Sequence, residues 1–374
     1  FNPLVFFQLW GKRSYCPTTS LFSTWGNNGN GILGDNTLVN KSSPVQIGSS
    51  SWTAVSVGFV HTLAIRSGGT LFTWGGGSLG RLGDGTTTNR SSPVQIGSSS
   101  WTAVSAGDDH SAAIRSDGYL FTWGFNNTGE LGDNTTTNRS SPVQIGSSSW
   151  TAIGAGGTHT AAIRSGGTLF TWGRNFYGQL GDSQRGTNTI VKDKSSPTTV
   201  GNNILPLAIP TKLGSSSWTA VSAGGSHTAA IRSDGYLFTW GQNDRGQLGD
   251  NTAVNKSSPV QIGSSSWTAV SAGNQHTAAI RSGGTLFTWG FGVYGRLGDG
   301  TSTTRSSPVQ IGSSSWTAVD AGTGHTAAIR SGGTLFTWGY NNSGQLGNGT
   351  SNTRSSPVQI GYHQNEWPRC EMLQ

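Results

Sequence analysis

Along most of the chain, apolar and small residues alternate over pieces short enough to be strands. Each piece is broken off by glycine, serine or proline. Reading from Trp101, one unit runs WTAVSAG, two residues, HSAAIRS, DG, YLFTWG, a loop, then SSPVQIG. This predicts four strands, A to D. In strand C, Tyr119, Phe121 and Trp123 fall on one face, and Leu120 and Thr122 on the other. In strand B, His110, Ala112 and Ile114 share a face. Large side chains on one side and small ones on the other allow stacked sheets to nest. Ser-Asp-Gly or Ser-Gly-Gly joins B to C, a hairpin signal because the turn needs positive φ. Pro93, Pro142 and Pro259 in strand D lack an N–H, which suits a sheet edge.

The unit recurs. Trp-Gly falls at Trp25, Trp74, Trp123, Trp172, Trp240, Trp289 and Trp338, with spacings of 49, 49, 49, 68, 49 and 49. Ser-Ser-Ser-Trp ends at Trp52, Trp101, Trp150, Trp218, Trp267 and Trp316. Seven units of four antiparallel strands predict an all-β protein, a seven-bladed β-propeller of four-stranded blades. A solenoid is the structural alternative and would need caps of different character. The expected organisation is an atypical segment over 1–19, the propeller over 20–361 with an insertion near 183–212, and an atypical segment over 362–374.

Composition narrows the class. Charged residues are only 10% of the 374 and apolar residues 33%, a balance that argues against disorder. The net charge of +7 is spread along the chain with no dense Lys/Arg run, which leaves nucleic acid a secondary partner. No apolar run approaches the ~18 residues of a membrane span. Leu4-Val5-Phe6-Phe7 has no basic flank before it, so no signal peptide is expected. Few cysteines and a Ser/Thr/Asn-rich surface fit a secreted, virion-associated or bacterial setting. A monomer is expected.

The segments TWGxNxxGQLGD (Trp240 to Asp250) and AGxxHTAAIRSDG (Ala223 to Gly235) resemble the repeat of the regulator of chromosome condensation family. The resemblance recurs in every unit. It implies a seven-bladed propeller in which each repeat straddles two blades. The family includes guanine nucleotide exchange factors, chromatin binders, a plant light receptor and bacterial inhibitors of secreted enzymes, so the fold does not choose a function. Strands A and B of one blade have no recognisable copy. Leu4 to Trp10 and the segment near Cys16 are expected to close the ring. Cys16 and Cys370 stand one at each end, either as a disulfide that staples the closing blade or as two unrelated thiols.

Candidate chemistry is repetitive. His61, His110, His159, His227, His276 and His325 recur one per unit. A catalytic site needs different residues in different roles, so an identical histidine per unit reads as a blade-packing group. Asp35, Asp84, Asp133, Asp182, Asp250 and Asp299 sit in Leu-Gly-Asp turns and lack calcium-loop spacing. Arg66, Arg115, Arg164, Arg232, Arg281 and Arg330 are expected to pair with these aspartates. A second basic ring (Lys41, Arg90, Arg139, Lys194, Lys256, Arg305, Arg354) reads as solvated blade edges, with a phosphate-tracking surface secondary. No nucleophile motif, phosphate loop, zinc spacing or carboxylate pair is evident. The expectation is no enzyme, no catalytic residue, no metal and no cofactor.

The differences between units are more informative than the likenesses. They concentrate in the pair before each histidine and in the loop after each Trp-Gly. In an antiparallel meander the A–B and C–D loops emerge at the same end of the strands, so both windows lie on one face of the disc. The candidate binding face carries Phe59, Asp108, Asp109, Phe125, Asn126, Arg174, Phe176, Tyr177, Gln242, Asp244, Arg245, Gln275, Phe291, Tyr294, Tyr340 and Asn341. Aromatics and Arg are what interface hot spots prefer. Loop drift alone would not explain the constant connections at the opposite end. The first expectation is a non-enzymatic scaffold for a macromolecule, a protein above all. The second is a guanine nucleotide exchange factor for a small GTPase, or a chromatin-associated binder, with the insertion as a wedge. The third is a glycan-binding propeller.

Overall fold

The computed structural model describes residues 22–183 and 211–360. Blade I consists of Trp52–Val57, His61–Arg66, Thr70–Gly75 and the first half of the long strand Arg90–Ala106. The second half of that strand is strand A of blade II, followed by His110–Arg115, Tyr119–Gly124 and the first half of Arg139–Ala155. The same hand-over carries the chain to blade VI, which is Trp316–Ala321, His325–Arg330, Leu335–Gly339 and Arg354–Gln359. Ser23–Gly26 and Lys41–Gln46 form strands C and D of blade VII. All pairings are antiparallel, and the hairpin register is constant, with His110 opposite Gly124 and Ile114 opposite Leu120 in blade II.

The ends meet. Phe22 packs on Trp52 and Trp74 of blade I, with ring centroids 5.7 and 6.1 Å apart. Trp25 Nε1 donates to the Gln345 carbonyl of the last repeat at 3.0 Å. Half-blade VII therefore sits between blades VI and I, which is a ring and not a solenoid. The expected closing segments (Leu4 to Trp10 and the stretch near Cys16), the Cys16–Cys370 bridge and most of the insertion near 183–212 lie outside the described residues.

Packing follows the large-against-small pattern. Trp123 of blade II is buried among Leu63, Ile65 and Leu71 of blade I. Leu120, Ala112 and Ile114 on its other face meet Trp150, Ala162 and Trp172 of the next blade units. Each of these tryptophans buries ~200 Å², about 5 kcal/mol at ~25 cal/mol/Å². Their indole N–H groups are used too. Trp123 donates to the Arg81 carbonyl at 2.9 Å, Trp172 to Glu130 and Trp289 to Gln247. The approach is so close that a Cβ on Gly83, at φ +74°, would lie 2.7 Å from Trp123 Nε1.

The histidines form an inter-blade belt, as their repetition suggested. Nε2 of His61, His110, His159, His227 and His276 lies 2.8–2.9 Å from Ser111, Thr160, Thr228, Thr277 and Thr326 of the following blade. Each hydroxyl gives its own proton to a loop carbonyl, as Thr160 does to Glu130 at 2.8 Å. The hydroxyl must then accept from the imidazole, so Nε2 carries the ring proton. Burial holds these rings neutral and lowers His110 and His227 to about 4 and His159 to about 3.

The expected Arg–Asp pairing is corrected. The Leu-Gly-Asp carboxylates pair with the second basic ring, six residues on: Asp84 with Arg90 at 2.8 Å, Asp133 with Arg139 at 2.8 Å, Asp299 with Arg305 at 2.9 Å. The loop doubles back onto strand D, and strand B is out of reach. The strand B arginines instead cover aromatic rings, as Arg66 lies 3.9 Å from the Phe72 centroid, or take Asp117 and Asp234 in the Ser-Asp-Gly hairpins.

Candidate binding face

The A–B and C–D loops do share one end of the ring. Gly76 N donates to the Val60 carbonyl within blade I, and Arg81 Nη1 in its C–D loop lies 2.7 Å from Asp109 in the A–B loop of blade II. Phe59, Leu79 and Tyr294 are exposed there, at 37%, 37% and 47%.

Each C–D loop opens with a four-residue turn. In the regular units the first residue is Asn, whose amide is a buried bracket. Asn126 donates to Asp133 and to the Thr135 and Thr137 carbonyls, and its oxygen accepts from Leu131 N. Asn341 does the same with Asn348, Thr350 and Leu346. Both are fully buried. Asn126 and Asn341 are therefore corrected from surface residues to loop supports, because the amide is consumed by backbone groups a partner cannot reach.

The other candidates divide into groups. Arg245, Phe291, Tyr294 and Tyr340 come together across blades IV to VI. Arg245 lies 4.9 Å from the Phe291 ring, and the Tyr294 and Tyr340 rings are 4.9 Å apart. Arg296, which the sequence reading did not single out, fills the space beneath. Its guanidinium lies 4.8 Å from Phe291 and 5.9 Å from Tyr294, and Nη1 donates to the Thr323 carbonyl at 2.8 Å. Burial lowers its pKa to about 10, leaving it charged at neutral pH. Arg354, exposed on strand D of blade VI, has no ion pair among the described residues, because Asn348 stands where the other repeats have Asp. Asp244 lies 3.8 Å from Arg245. The substitution of Asn348 and the Arg at positions 81 and 296 were the signals available in sequence.

A second cluster lies on blade III, where Phe176 meets Tyr177 at 4.7 Å and Arg174 lies 5.6 Å from Phe176. Phe125, Gln242 and Gln275 are partly buried on the same face and join neither cluster through ring stacking. Asp108 turns inward and lines the mouth of the axial cavity, about 430 Å³, that the inner strands enclose. Burial, and then the charge of Asp109, raise its carboxyl to about 6. Asp109 stays at the rim with Arg81. Among the described residues no group of His, Cys, Asp and Glu is placed to hold a metal ion, and no helix is long and apolar enough to cross a membrane.

A ring of repeated blades with one variable loop face is the architecture of a repeat-built binding propeller. The model of the regulator of chromosome condensation (RCC1) repeat matches seven times, at residues 23–65, 68–114, 117–163, 166–231, 234–280, 283–329 and 332–369, and the chain belongs to that family. Each of the first six matches runs from strand C of one blade through strand B of the next, and the seventh opens on strand C of blade VI. No curated protein matches the sequence. Among solved structures, human WBSCR16 is 20% identical with a TM-score of 0.77, covering 91% of this chain and 93% of its own. Prp20p of Saccharomyces cerevisiae, described with its binding to Gsp1p and histones, is 20% identical with a TM-score of 0.77, over 94% of this chain and 88% of its own. Yeast RCC1 (Prp20) bound to Kap60 is 18% identical with a TM-score of 0.77, over 96% and 92%.

These likenesses overturn the expectation that the chain is no enzyme. Among the propellers it matches over nearly their whole length are Prp20p and yeast RCC1, and the family is the one that the sequence resemblance connects to guanine nucleotide exchange. The absence of a nucleophile or metal motif does not decide the matter, since nucleotide exchange on a GTPase, where a propeller performs it, breaks no covalent bond.

Proposed function

We propose that this chain is a protein-binding propeller that docks a small GTPase on its loop face and accelerates release of the bound nucleotide. The observation that carries the reading is the contiguous patch of Arg245, Phe291, Arg296, Tyr294 and Tyr340, on a ring whose fold is shared with a protein described with its binding to Gsp1p. Exchange needs only that the face bind the nucleotide-free partner more tightly than the loaded one. Every ~1.4 kcal/mol of that preference is tenfold in the equilibrium between the two. A rigid ring suits the task, because a face that does not deform turns binding energy into distortion of the partner. The belt of inter-blade histidine bonds and the buried tryptophans supply that rigidity.

The test is release of fluorescent GDP from a panel of purified small GTPases in the presence of this protein. The reading expects at least one to be accelerated tenfold or more. No acceleration across the panel would remove it. A propeller that binds a GTPase in a pull-down without changing nucleotide release would support a plain scaffold, the second reading, which rests on the same exposed aromatics.

A further inference from the structure

Two of the C–D loops are built differently from the rest, and the cause can be read from one side chain. In the blade VII loop the residue two places before Gly of the Leu-Gly-Asp turn is Ile32, and in the four other regular loops it is Gln or Glu. Its side-chain oxygen accepts from a backbone N–H two residues earlier: Thr128 N to Glu130, Tyr177 N to Gln179, Arg245 N to Gln247 and Ser343 N to Gln345, each at 2.9 Å. In blades I and V that residue is Arg81 or Arg296, which can only donate. Their Nε atoms donate to the Ser78 and Val293 carbonyls at 2.8 and 3.0 Å. The carbonyl of Ser78 belongs to the same peptide as the N–H of Leu79. The peptide that shows its N–H to Gln in the regular loops shows its C=O to Arg in these two.

Reversing the central peptide converts a type I turn into a type II turn, whose third residue needs positive φ. Leu79 and Tyr294 accordingly stand at φ 63° and 66°, while their counterparts Thr128, Tyr177, Arg245 and Ser343 do not. A non-glycine residue is strained there. The Asn bracket is also gone from both loops. Gly77 and Gly292 replace it, and a Cβ would fall 2.0 Å from the Thr88 carbonyl and 1.9 Å from that of Thr303. Two loops that share the Gly, the Arg and the strained third residue also share the outcome, an exposed apolar side chain on the loop face.

We propose that Arg81 and Arg296 are positioning residues that reverse this peptide and so hold Leu79 and Tyr294 outward as anchors, for a protein partner offering apolar pockets flanked by carboxylates. The carboxylates follow from Arg354, which is exposed and has no ion pair among the described residues, on the strand against which the Tyr294 turn packs. The positioning stands on its own. The identity of the partner rests on the exchange reading above.

Tyr177 is an internal control, the same loop position in a Gln loop and half-buried. The experiment reads nitration of Tyr294 and Tyr177 by tetranitromethane, with mass spectrometry. In the native protein Tyr294 should react faster. Arg296→Gln should bring it to the rate of Tyr177 without lowering Tm, and Arg296→Lys should retain the fast rate. The reverse exchange, Gln179→Arg with Asn175→Gly, should speed Tyr177, which keeps the test alive if Arg296→Gln does not fold. Unchanged rates in both variants overturn the positioning. The second arm measures binding to a GTPase accelerated in the release assay. Tyr294→Ala and Leu79→Ala should each weaken Kd about tenfold or more. Tight binding by both variants overturns the anchors and leaves the exchange reading standing. If no GTPase responds, the exchange reading fails, and the nitration rates still decide whether the arginines set the turn.

Discussion

Acidification should weaken this fold well above the range where its ion-paired carboxylates titrate. A histidine buried as the neutral ring has a folded pKa below its unfolded value of 6.5. Its contribution is full above about pH 6.5 and is lost as pH falls toward the folded value, because the unfolded chain takes up the proton first. For His110 and His227, lowered to about 4, the loss between pH 7 and pH 5 is about 2 kcal/mol each. His159, lowered to about 3, loses about the same over that window. His61 and His276, also buried and lowered, act in the same direction. Asp108 opposes them. Its carboxyl, raised to about 6, gives back about 1 kcal/mol by pH 5. In Asp84, Asp133 and Asp299, burial alone would raise the carboxyl, but threonine and arginine bonds bring it below 3.8, so their contribution is lost only at lower pH. The three histidines with assigned values therefore remove about 5 kcal/mol net at pH 5, against a typical 5–15 kcal/mol for a whole domain. Urea titrations followed by tryptophan fluorescence at pH 7 and pH 5 measure this. His159→Gln should reduce the pH dependence by about 2 kcal/mol. Equal urea midpoints at the two pH values would refute the neutral, buried belt.

Gly83→Ala should cost about 3 kcal/mol or more, from its positive φ and the 2.7 Å approach to Trp123 Nε1, and urea denaturation would show it. Asn126→Ala should cost about 2–4 kcal/mol, since Leu131 N loses its buried acceptor and three loop oxygens lose their donor. Hydrogen exchange should then show the 126–139 loop opening while blade I stays protected. Asp117→Ala, by contrast, removes a solvent-screened pair with Arg115 and should leave the urea midpoint essentially unchanged in the same titration.

Much of the fold was legible because the constant residues carry it. The Trp-Gly period, the Ser-Gly-Gly hairpins and the strand D prolines each have one structural solution, and the repetition multiplies the signal. The histidine belt followed from the same logic. What sequence reasoning misplaced was long-range pairing inside the loops. The strand B arginines looked equivalent to those before Ser-Ser-Pro until the C–D loop was seen to fold back on strand D. Asn126 and Asn341 looked like surface polar groups because they flank a variable window, yet the loop is wound around them. Arg296 was passed over because it fills a place that in three other repeats holds an uncharged Gln, and its effect is a reversed peptide with no trace in hydropathy. Function was legible only as a face, since a surface that binds a protein partner leaves no catalytic motif in the chain.

The most direct test is to replace the C–D turns of blades IV, V and VI by the turn of blade II, residues 125–130, and to measure GDP release from a small GTPase that the native protein accelerates. The account predicts that the variant keeps the native Tm within a few degrees and loses the acceleration. Full acceleration by the levelled ring would contradict it, and would move the active surface to the axial mouth, the basic rim or the uniform face.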